Sequence, residues 1–211
     1  MATGVLILGE SGSGKSTSIR NLDTNTTFIF NVQGKPLPFK GGRESYSKDN
    51  GNIYKTDNAK TITTLLSKIS DEKLDVENVI IDDFQYIMVN EMMRRTFEKG
   101  YNKFSEIAHS VWELVNCVQL LRPNLNVFFL AHTETNAVGK EKVKTVGKML
   151  DDQVNIEGMF TIVLKAIVNN GEHKFTTHSN GFDTVKTPMD MFDQDEIDND
   201  LQIVIDSIKE Y

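Results

Sequence analysis

The sequence predicts an α/β domain of three layers, in which a largely parallel sheet lies between helices and ends in a C-terminal β-hairpin and helix. Two observations carry this prediction. A short apolar run at residues 4–8 leads into a glycine-rich loop and a helix-like segment, and a second apolar run at residues 79–81 ends in two aspartates. Around them, apolar runs of strand length alternate with amphipathic segments of helix length, which is typical of parallel sheets.

The glycine-rich loop at residues 9–16 has the sequence GESGSGKS and matches the phosphate-binding loop (P-loop) motif G-x-x-x-x-G-K-[ST] at every fixed position. Glycines allow a backbone that aims several N–H groups at one anion. A helix-like segment follows at residues 15–22, and its N-terminus adds partial positive charge. The alternative is a plain turn of glycine and serine between a strand and a helix.

Within this loop, Lys15 is predicted to reach the β and γ phosphates of a bound nucleotide and to act in catalysis, and Ser16 to bind Mg²⁺. Thr17, which comes next, can also serve helix packing. The predicted nucleotide-binding residues are Gly9, Glu10, Ser11, Gly12, Ser13, Gly14, Lys15, Ser16 and Thr17.

The second apolar run ends in Asp82 and Asp83. The carboxyl end of a buried parallel strand opens onto the nucleotide, so Asp82 is predicted to hold Mg²⁺, through a water molecule. Asp83 is predicted to orient or deprotonate the attacking water. Its alternative role is to cap the helix that begins at Phe84.

The remaining elements follow from the apolar pattern. Strands are predicted at residues 27–32, 52–55 and 126–131, and a hairpin at 160–168 and 173–178. Helices are predicted at 58–70, 84–99 and 102–121, and a last helix is capped by Asn199. A long loop occupies residues 33–48, and a polar, lysine-bearing loop occupies residues 133–148.

His132 follows the strand predicted at residues 126–131 directly. Because that strand is expected to be parallel, its carboxyl end faces the nucleotide. His132 is therefore predicted to hydrogen-bond the γ-phosphate or the attacking water and so to act in catalysis. An ordinary loop histidine is the alternative.

Length and composition favour one domain over residues 1–211, with a nucleotide-binding core at 1–158 and a hairpin, acidic segment and terminal helix at 159–211. The net charge of −7 comes from residues 183–211, so the body neither requires nor excludes a nucleic-acid partner. We expect no membrane span and no signal peptide. Cys117 is the single cysteine, which rules out an intramolecular disulfide and favours a cytoplasmic location.

The P-loop, the strand ending at Asp82, the strand ending at His132, the lysine-bearing loop and the terminal hairpin together resemble the RecA-like ATPases encoded by bacteriophages. In particular, the chain looks like the small phage group associated with single-strand annealing and recombination. The resemblance implies hydrolysis of ATP to ADP and phosphate with Mg²⁺, a role in phage DNA recombination or annealing, and a location in the host cytoplasm. It also implies a homo-oligomer and single-stranded DNA as a partner.

In that superfamily the active sites commonly lie between subunits, and the loop after the nucleotide sensor touches single-stranded DNA. The resemblance therefore implies two roles for the loop lysines, as fingers that complete a neighbour's site or as contacts to DNA phosphates. A solvated loop is the alternative. These lysines are Lys140, Lys142, Lys144 and Lys148.

One departure concerns the acid that RecA carries just past its second strand. Residues 31–35 read NVQGK here, without an acid, so either Asp83 takes that role or hydrolysis is slow. The missing acid favours one alternative function, a non-catalytic assembly protein gated by nucleotide. Another alternative is a nucleotide or small-molecule kinase, which needs an acceptor pocket and an arginine-rich lid. The arginines do not cluster in a lid, and no Asn-Lys-x-Asp guanine signature is present.

Overall fold

The computed structural model describes residues 1–136, 138–147, 149–150 and 154–211. Within these residues the strands are β1 (Thr3–Gly9), β2 (Thr27–Asn31), β3 (Ile53–Tyr54), β4 (Asn78–Asp82), β5 (Asn126–Thr135), β6 (Glu141–Val143), β7 (Ile162–Asn169), β8 (Glu172–Thr176) and β9 (Glu196–Asp198). The α-helices are α1 (Gly42–Ser45), α2 (Ala59–Glu72), α3 (Gln85–Arg94), α4 (Asn102–Cys117) and α5 (Leu201–Glu210). Short 3-10 helices lie at Ser16–Asn21, Val118–Leu120 and Glu157–Met159.

The strands form a mixed sheet in the order β3-β2-β4-β5-β1-β7-β8-β9, with β6 paired to β5. Neighbours from β3 to β7 are parallel, whereas β8 and β9 add in antiparallel fashion, as does β6. Since β5 lies between β1 and β4, it brings the P-loop and the two aspartates to either side of one strand end. The predicted three-layer P-loop fold is confirmed.

Both faces of the sheet are covered, because alternate residues of β1 belong to different cores. Leu6 and Leu8 pack into a core with α2, α3 and α4, while Val5 and Ile7 pack on the opposite face with the first 3-10 helix and α5. Burying each such aliphatic side chain contributes about 1.5–3 kcal/mol. The two cores therefore hold the central strands rigidly, and their polar ends project from a fixed frame. None of the helices described is long and apolar enough to cross a membrane.

The helix after the P-loop is shorter than predicted, because the chain forms only the 3-10 helix Ser16–Asn21. It stops before a turn in which the Asp23 carboxylate accepts the backbone N–H of Asn25 at 2.9 Å. The helix predicted at residues 84–99 also ends early, at Arg94. Beyond it, the buried Lys103 ammonium donates to the carbonyls of Arg95, Thr96 and Glu98, which replaces further helical hydrogen bonds.

Two further expectations are corrected. The loop predicted at residues 133–148 contains a hairpin, because the end of β5 pairs with β6. The predicted cap of the last helix is wrong by one residue. Asp200 caps α5, since its carboxylate accepts the backbone N–H of Gln202 at 2.9 Å, whereas Asn199 is buried beside the P-loop.

Candidate nucleotide-binding site

The P-loop connects β1 to the first 3-10 helix and takes the shape that its glycines permit. Gly12 and Gly14 have φ angles of 82° and 97°, in the left-handed region that favours glycine. Gly14 also lacks space for a side chain, because a Cβ there would lie 2.9 Å from His173 Nδ1 and 3.0 Å from Asn199 Oδ1. The loop is therefore held from behind by the C-terminal strands. Ser11 and Gly12, at its tip, are exposed.

Lys15 folds back over its own loop. Its Nζ donates to the carbonyl oxygens of Gly9 at 2.8 Å and Glu10 at 2.7 Å. Burial lowers the pKa of Lys15 to about 8, even though Asp83 and Asp82 nearby favour the charged form. Among the described residues, the hydrogen bonds of this ammonium go to neutral carbonyls, which compensate a buried ammonium incompletely, and a phosphate group would supply further negative charge.

The two residues predicted to bind Mg²⁺ are in direct contact. Ser16 Oγ donates to Asp82 Oδ1 at 2.7 Å, across 66 residues of sequence. Burial, reinforced by the charge of Asp83, raises the pKa of Asp82 to about 6. A hydroxyl and a desolvated carboxylate are oxygen ligands of the kind that Mg²⁺ takes beside nucleotide phosphates. The residues at this point therefore fit a magnesium ion.

Asp83 faces the same edge of the sheet and does not cap the helix. Its φ angle of 64° turns the chain sharply after β4, and among the described residues no side-chain hydrogen bond caps α3. Its Oδ2 lies 3.0 Å from Lys35 Nζ, and its Oδ1 lies 3.4 Å from His132 Nε2. Burial alone would raise the pKa of Asp83, but hydrogen bonds with His132 and Lys35 outweigh it and hold the pKa below its ordinary value.

His132 lies opposite Gly9 in the pairing of β1 with β5, so it stands between the P-loop and Asp83. Its backbone N–H donates to Gln85 Oε1 at 3.0 Å, and its ring meets the Tyr86 ring edge-on at 6.2 Å between centroids. Its position is thus fixed by α3 as well as by β5. The structure brings it together with the P-loop, Asp82 and Asp83 at one edge of the sheet.

Lys35 belongs to this cluster, although the motifs did not single it out. It ends a tight turn after β2, in which Asn31 Nδ2 donates to the Lys35 carbonyl at 2.6 Å. Asn31 pairs with Asp82 in the sheet, and this neighbourhood brings Lys35 to Asp83. Its Nζ also lies 5.3 Å from the centroid of the Tyr86 ring. In the sequence, Lys35 is only a lysine that follows a predicted buried strand. The strand order is needed to show that it lies next to Asp83.

A second group missed by the sequence supports the P-loop from behind. His173 Nδ1, on β8, lies 3.0 Å from the Ser13 carbonyl oxygen. Arg20 Nη1 donates to the Asn199 carbonyl at 2.6 Å. The Asn199 side chain is buried, and neither its Oδ1 nor its Nδ2 has a hydrogen-bond partner within the described ranges. The C-terminal strands therefore contact the P-loop directly.

The lysines after His132 lie in a looser setting. Lys142 Nζ lies 3.4 Å from Glu134 Oε1, while Lys140 and Lys144 are exposed. In the part of the chain that the structure describes, no hydrogen bond or ion pair joins Lys140 or Lys144 to the P-loop. Lys148 lies outside the described residues.

Two comparisons with known proteins bear on this site. The family model described as an AAA domain matches residues 1–191. That match spans the P-loop, the end of β4, His132 and the β7–β8 hairpin, and it ends before β9 and α5. No curated protein matches the chain.

Proposed function

We propose that this chain, which belongs to the AAA domain family, binds ATP together with Mg²⁺ and hydrolyses it to ADP and phosphate. Membership makes it a nucleotide-binding protein of the P-loop ATPase type. The observation that carries the finer proposal is the 2.7 Å contact between Ser16 Oγ and Asp82 Oδ1, directly beside Lys15. This contact supports a metal-assisted reaction at the P-loop.

Each residue has a distinct part in this proposal. The P-loop N–H groups and Lys15 bind the phosphates, and Ser16 and Asp82 would hold Mg²⁺. When bound, Mg²⁺ would neutralise negative charge on the phosphates. Asp83 orients the attacking water, and His132 keeps Asp83 in place. Because its pKa is held low, Asp83 has little tendency to take a proton, so positioning of water is a better role for it than general-base catalysis. Slow turnover is the expected consequence.

The test is a phosphate-release assay on the purified protein, with Mg²⁺ and with a chelator. We expect release that requires the metal and that disappears in the variant Lys15→Ala. Lys68→Ala is the matched control, because Lys68 is exposed on α2 and the same charge is removed. Equal release by wild type and Lys15→Ala would overturn the proposal.

The process served by this activity is a further part of the proposal. From the resemblance to phage RecA-like ATPases, we assign it to DNA recombination or single-strand annealing by a homo-oligomer in the host cytoplasm. The exposed Lys140 and Lys144, which flank β6 on the β5–β6 hairpin, support a contact with single-stranded DNA. Phosphate release that rises on addition of single-stranded DNA would support this assignment, and an unchanged rate would contradict it.

A non-catalytic assembly protein gated by nucleotide is the second candidate. The observation that favours it is Asp83, which is already engaged by Lys35 and His132. It predicts that ATP changes the oligomeric state without phosphate release. The kinase alternative predicts transfer of the phosphoryl group to an acceptor, so the same assay with product analysis separates all three functions.

A further inference from the structure

A cavity of about 280 Å³ lies beside the site, at the carboxyl end of β2 and next to the first residue of β3. Its walls are the tight turn after β2, helix α1 and the segment that leads to β3. Leu37 and Tyr46 line it and are buried, and the Tyr46 ring packs edge-on against Phe39 at 6.5 Å between centroids. Part of the cavity lining is therefore made of buried, packed apolar side chains.

The charged residues that line this cavity are all basic. They are Lys35, Arg43 and Lys48. The surrounding segment, residues 33–55, contains five basic and two acidic residues in a chain with a net charge of −7. A cavity of this charge and size suits a small anionic group attached to an organic body.

Two of these three cations are not neutralised by any described part of the chain. Over the residues that the structure describes, neither Arg43 nor Lys48 forms an ion pair. Arg94 and Arg95, at the end of α3, are by contrast each bound by two carboxylates. Lys55 adds a further cation, since its side chain crosses Gly34 so closely that a Cβ there would lie 2.4 Å from Lys55 Cε.

Lys35 connects the cavity to the catalytic edge. It lines the cavity, its side chain is 61% exposed, and its Nζ is 3.0 Å from Asp83 Oδ2. An anion in the cavity would compete with Asp83 for this ammonium. Because Lys35 is largely exposed, its movement away from Asp83 requires little repacking.

We propose that this cavity binds the phosphate group of a second ligand, separate from ATP, through Lys35, Arg43 and Lys48, and that this ligand draws Lys35 away from Asp83. Asp83 is then free to orient water, so the ligand stimulates hydrolysis. The stimulation rests on the proposed ATPase function, whereas the binding does not. The phosphate can come from a phosphomonoester or from the backbone of single-stranded DNA.

Binding is tested by calorimetric titration of protein saturated with Mg-ADP, which occupies the P-loop. The probes are ribose 5-phosphate and an unphosphorylated thymidine decanucleotide, which distinguish the two sources. Loss of one charge-assisted hydrogen bond predicts binding about tenfold weaker in Arg43→Gln and in Lys48→Gln. Lys68→Gln is the control with the same change of charge, and we expect it to bind as wild type does. Saturable binding of either probe with this pattern supports the proposal.

Absence of saturable binding by both probes, or equal binding by the wild type, Arg43→Gln and Lys48→Gln, would overturn the proposal. The second readout is phosphate release with and without the bound probe. The Lys35 side chain is 61% exposed but that of Asp83 is only 13% exposed, so release of this ion pair predicts stimulation of about twofold or more, and a smaller ratio in the two cavity variants. If wild type binds the probe but releases no phosphate under any condition, the ATPase proposal fails and the binding site stands.

Discussion

Two charged regions lie at the nucleotide edge of the sheet, and they are built differently. At the end of β4, Asp82 is buried against Ser16, and Asp83 is held by Lys35 and His132. On the β5–β6 hairpin, by contrast, the lysines point to solvent or pair with a neighbouring acid. Desolvated charges interact strongly with what they touch, whereas exposed ones are screened by water and salt. Substitutions at the two regions should therefore differ in size of effect.

Within the first region, the pKa values of two consecutive carboxylates shift in opposite directions. Burial raises the pKa of Asp82 to about 6, while hydrogen bonds with His132 and Lys35, opposed by burial, hold the pKa of Asp83 low. Neighbouring acids whose pKa values are pushed apart commonly serve different roles. The difference fits a metal ligand next to a water-orienting residue.

The largest effect is expected from Lys15→Ala. Its ammonium is the positive charge of the P-loop, and removal of one such charge from a desolvated site reduces turnover by about 100-fold or more. Binding of a fluorescent ATP analogue and phosphate release measure the loss, and thermal unfolding monitors the fold. Because burial already penalises the charged Lys15, the variant should remain folded. Retained ATP affinity would show that Lys15 does not face the phosphates.

Asp82→Asn should remove most of the Mg²⁺ dependence of turnover while ADP binding without metal persists. Since the Asp82 carboxyl in the metal-free site takes up a proton near pH 6, the Mg²⁺ affinity of wild type should fall as the pH drops through about 6. Titration of Mg²⁺ at several pH values measures this. In Asp83→Asn this fall in Mg²⁺ affinity should remain, because its origin is Asp82, but it should move to lower pH, because the charge of Asp83 helps to raise the pKa of Asp82. Loss of this pH dependence of Mg²⁺ affinity in Asp83→Asn would show that Asp83, and not Asp82, binds the metal.

Asp82→Asn should also stabilise the ligand-free protein. The pKa of Asp82 is raised in the folded state, so the folded protein binds more protons than the unfolded chain between pH 4 and 6, and stability falls as pH rises through this range. The free-energy cost of burying the charged Asp82 carboxylate persists above pH 6. Its removal should raise the free energy of unfolding by on the order of 1–3 kcal/mol. Urea unfolding at pH 5 and pH 8 measures it, with the larger gain expected at pH 8. A variant less stable than wild type at pH 8 would contradict this account.

A smaller effect is expected from Asp83→Asn. The amide keeps the shape but holds water and the neighbouring cations less well, so turnover should fall about 10- to 100-fold. Binding of ADP and Mg²⁺ should be unchanged, because Ser16 and Lys15 are untouched. Single-turnover and steady-state phosphate release separate the two steps. An equal, small effect of Asp82→Asn and Asp83→Asn would mean that neither carboxylate has the role assigned to it.

The parts of the site that the sequence predicts are those encoded by local patterns. Lys15 and Ser16 belong to a contiguous motif, and Asp82 and His132 follow apolar strands. Such residues are predictable because the carboxyl ends of parallel strands meet at one edge, whatever the order of the strands.

The missed residues depend on strand order, which no local pattern encodes. Lys35 reaches Asp83 only because β2 is the neighbour of β4, and His173 and Asn199 reach the P-loop only because β8 and β9 extend the sheet beyond β7. The early end of α3 has a similar origin, since it depends on a buried ammonium from Lys103.

The smallest effect is expected on the hairpin. Lys140 and Lys144 are exposed, so replacing both by Gln should leave DNA-free phosphate release within about twofold of wild type. If they contact DNA phosphates, the double variant should bind a fluorescent single-stranded oligonucleotide more weakly than wild type. In a plot of the logarithm of the binding constant against the logarithm of the salt concentration, the slope should become shallower by about one to two. If they complete a neighbour's site, DNA-free activity should instead fall in the double variant and rise with protein concentration in wild type. Because charges screened by solvent contribute little to catalysis, we expect weaker DNA binding without loss of DNA-free activity. A large loss of DNA-free activity would show instead that the hairpin, like the end of β4, belongs to the catalytic site.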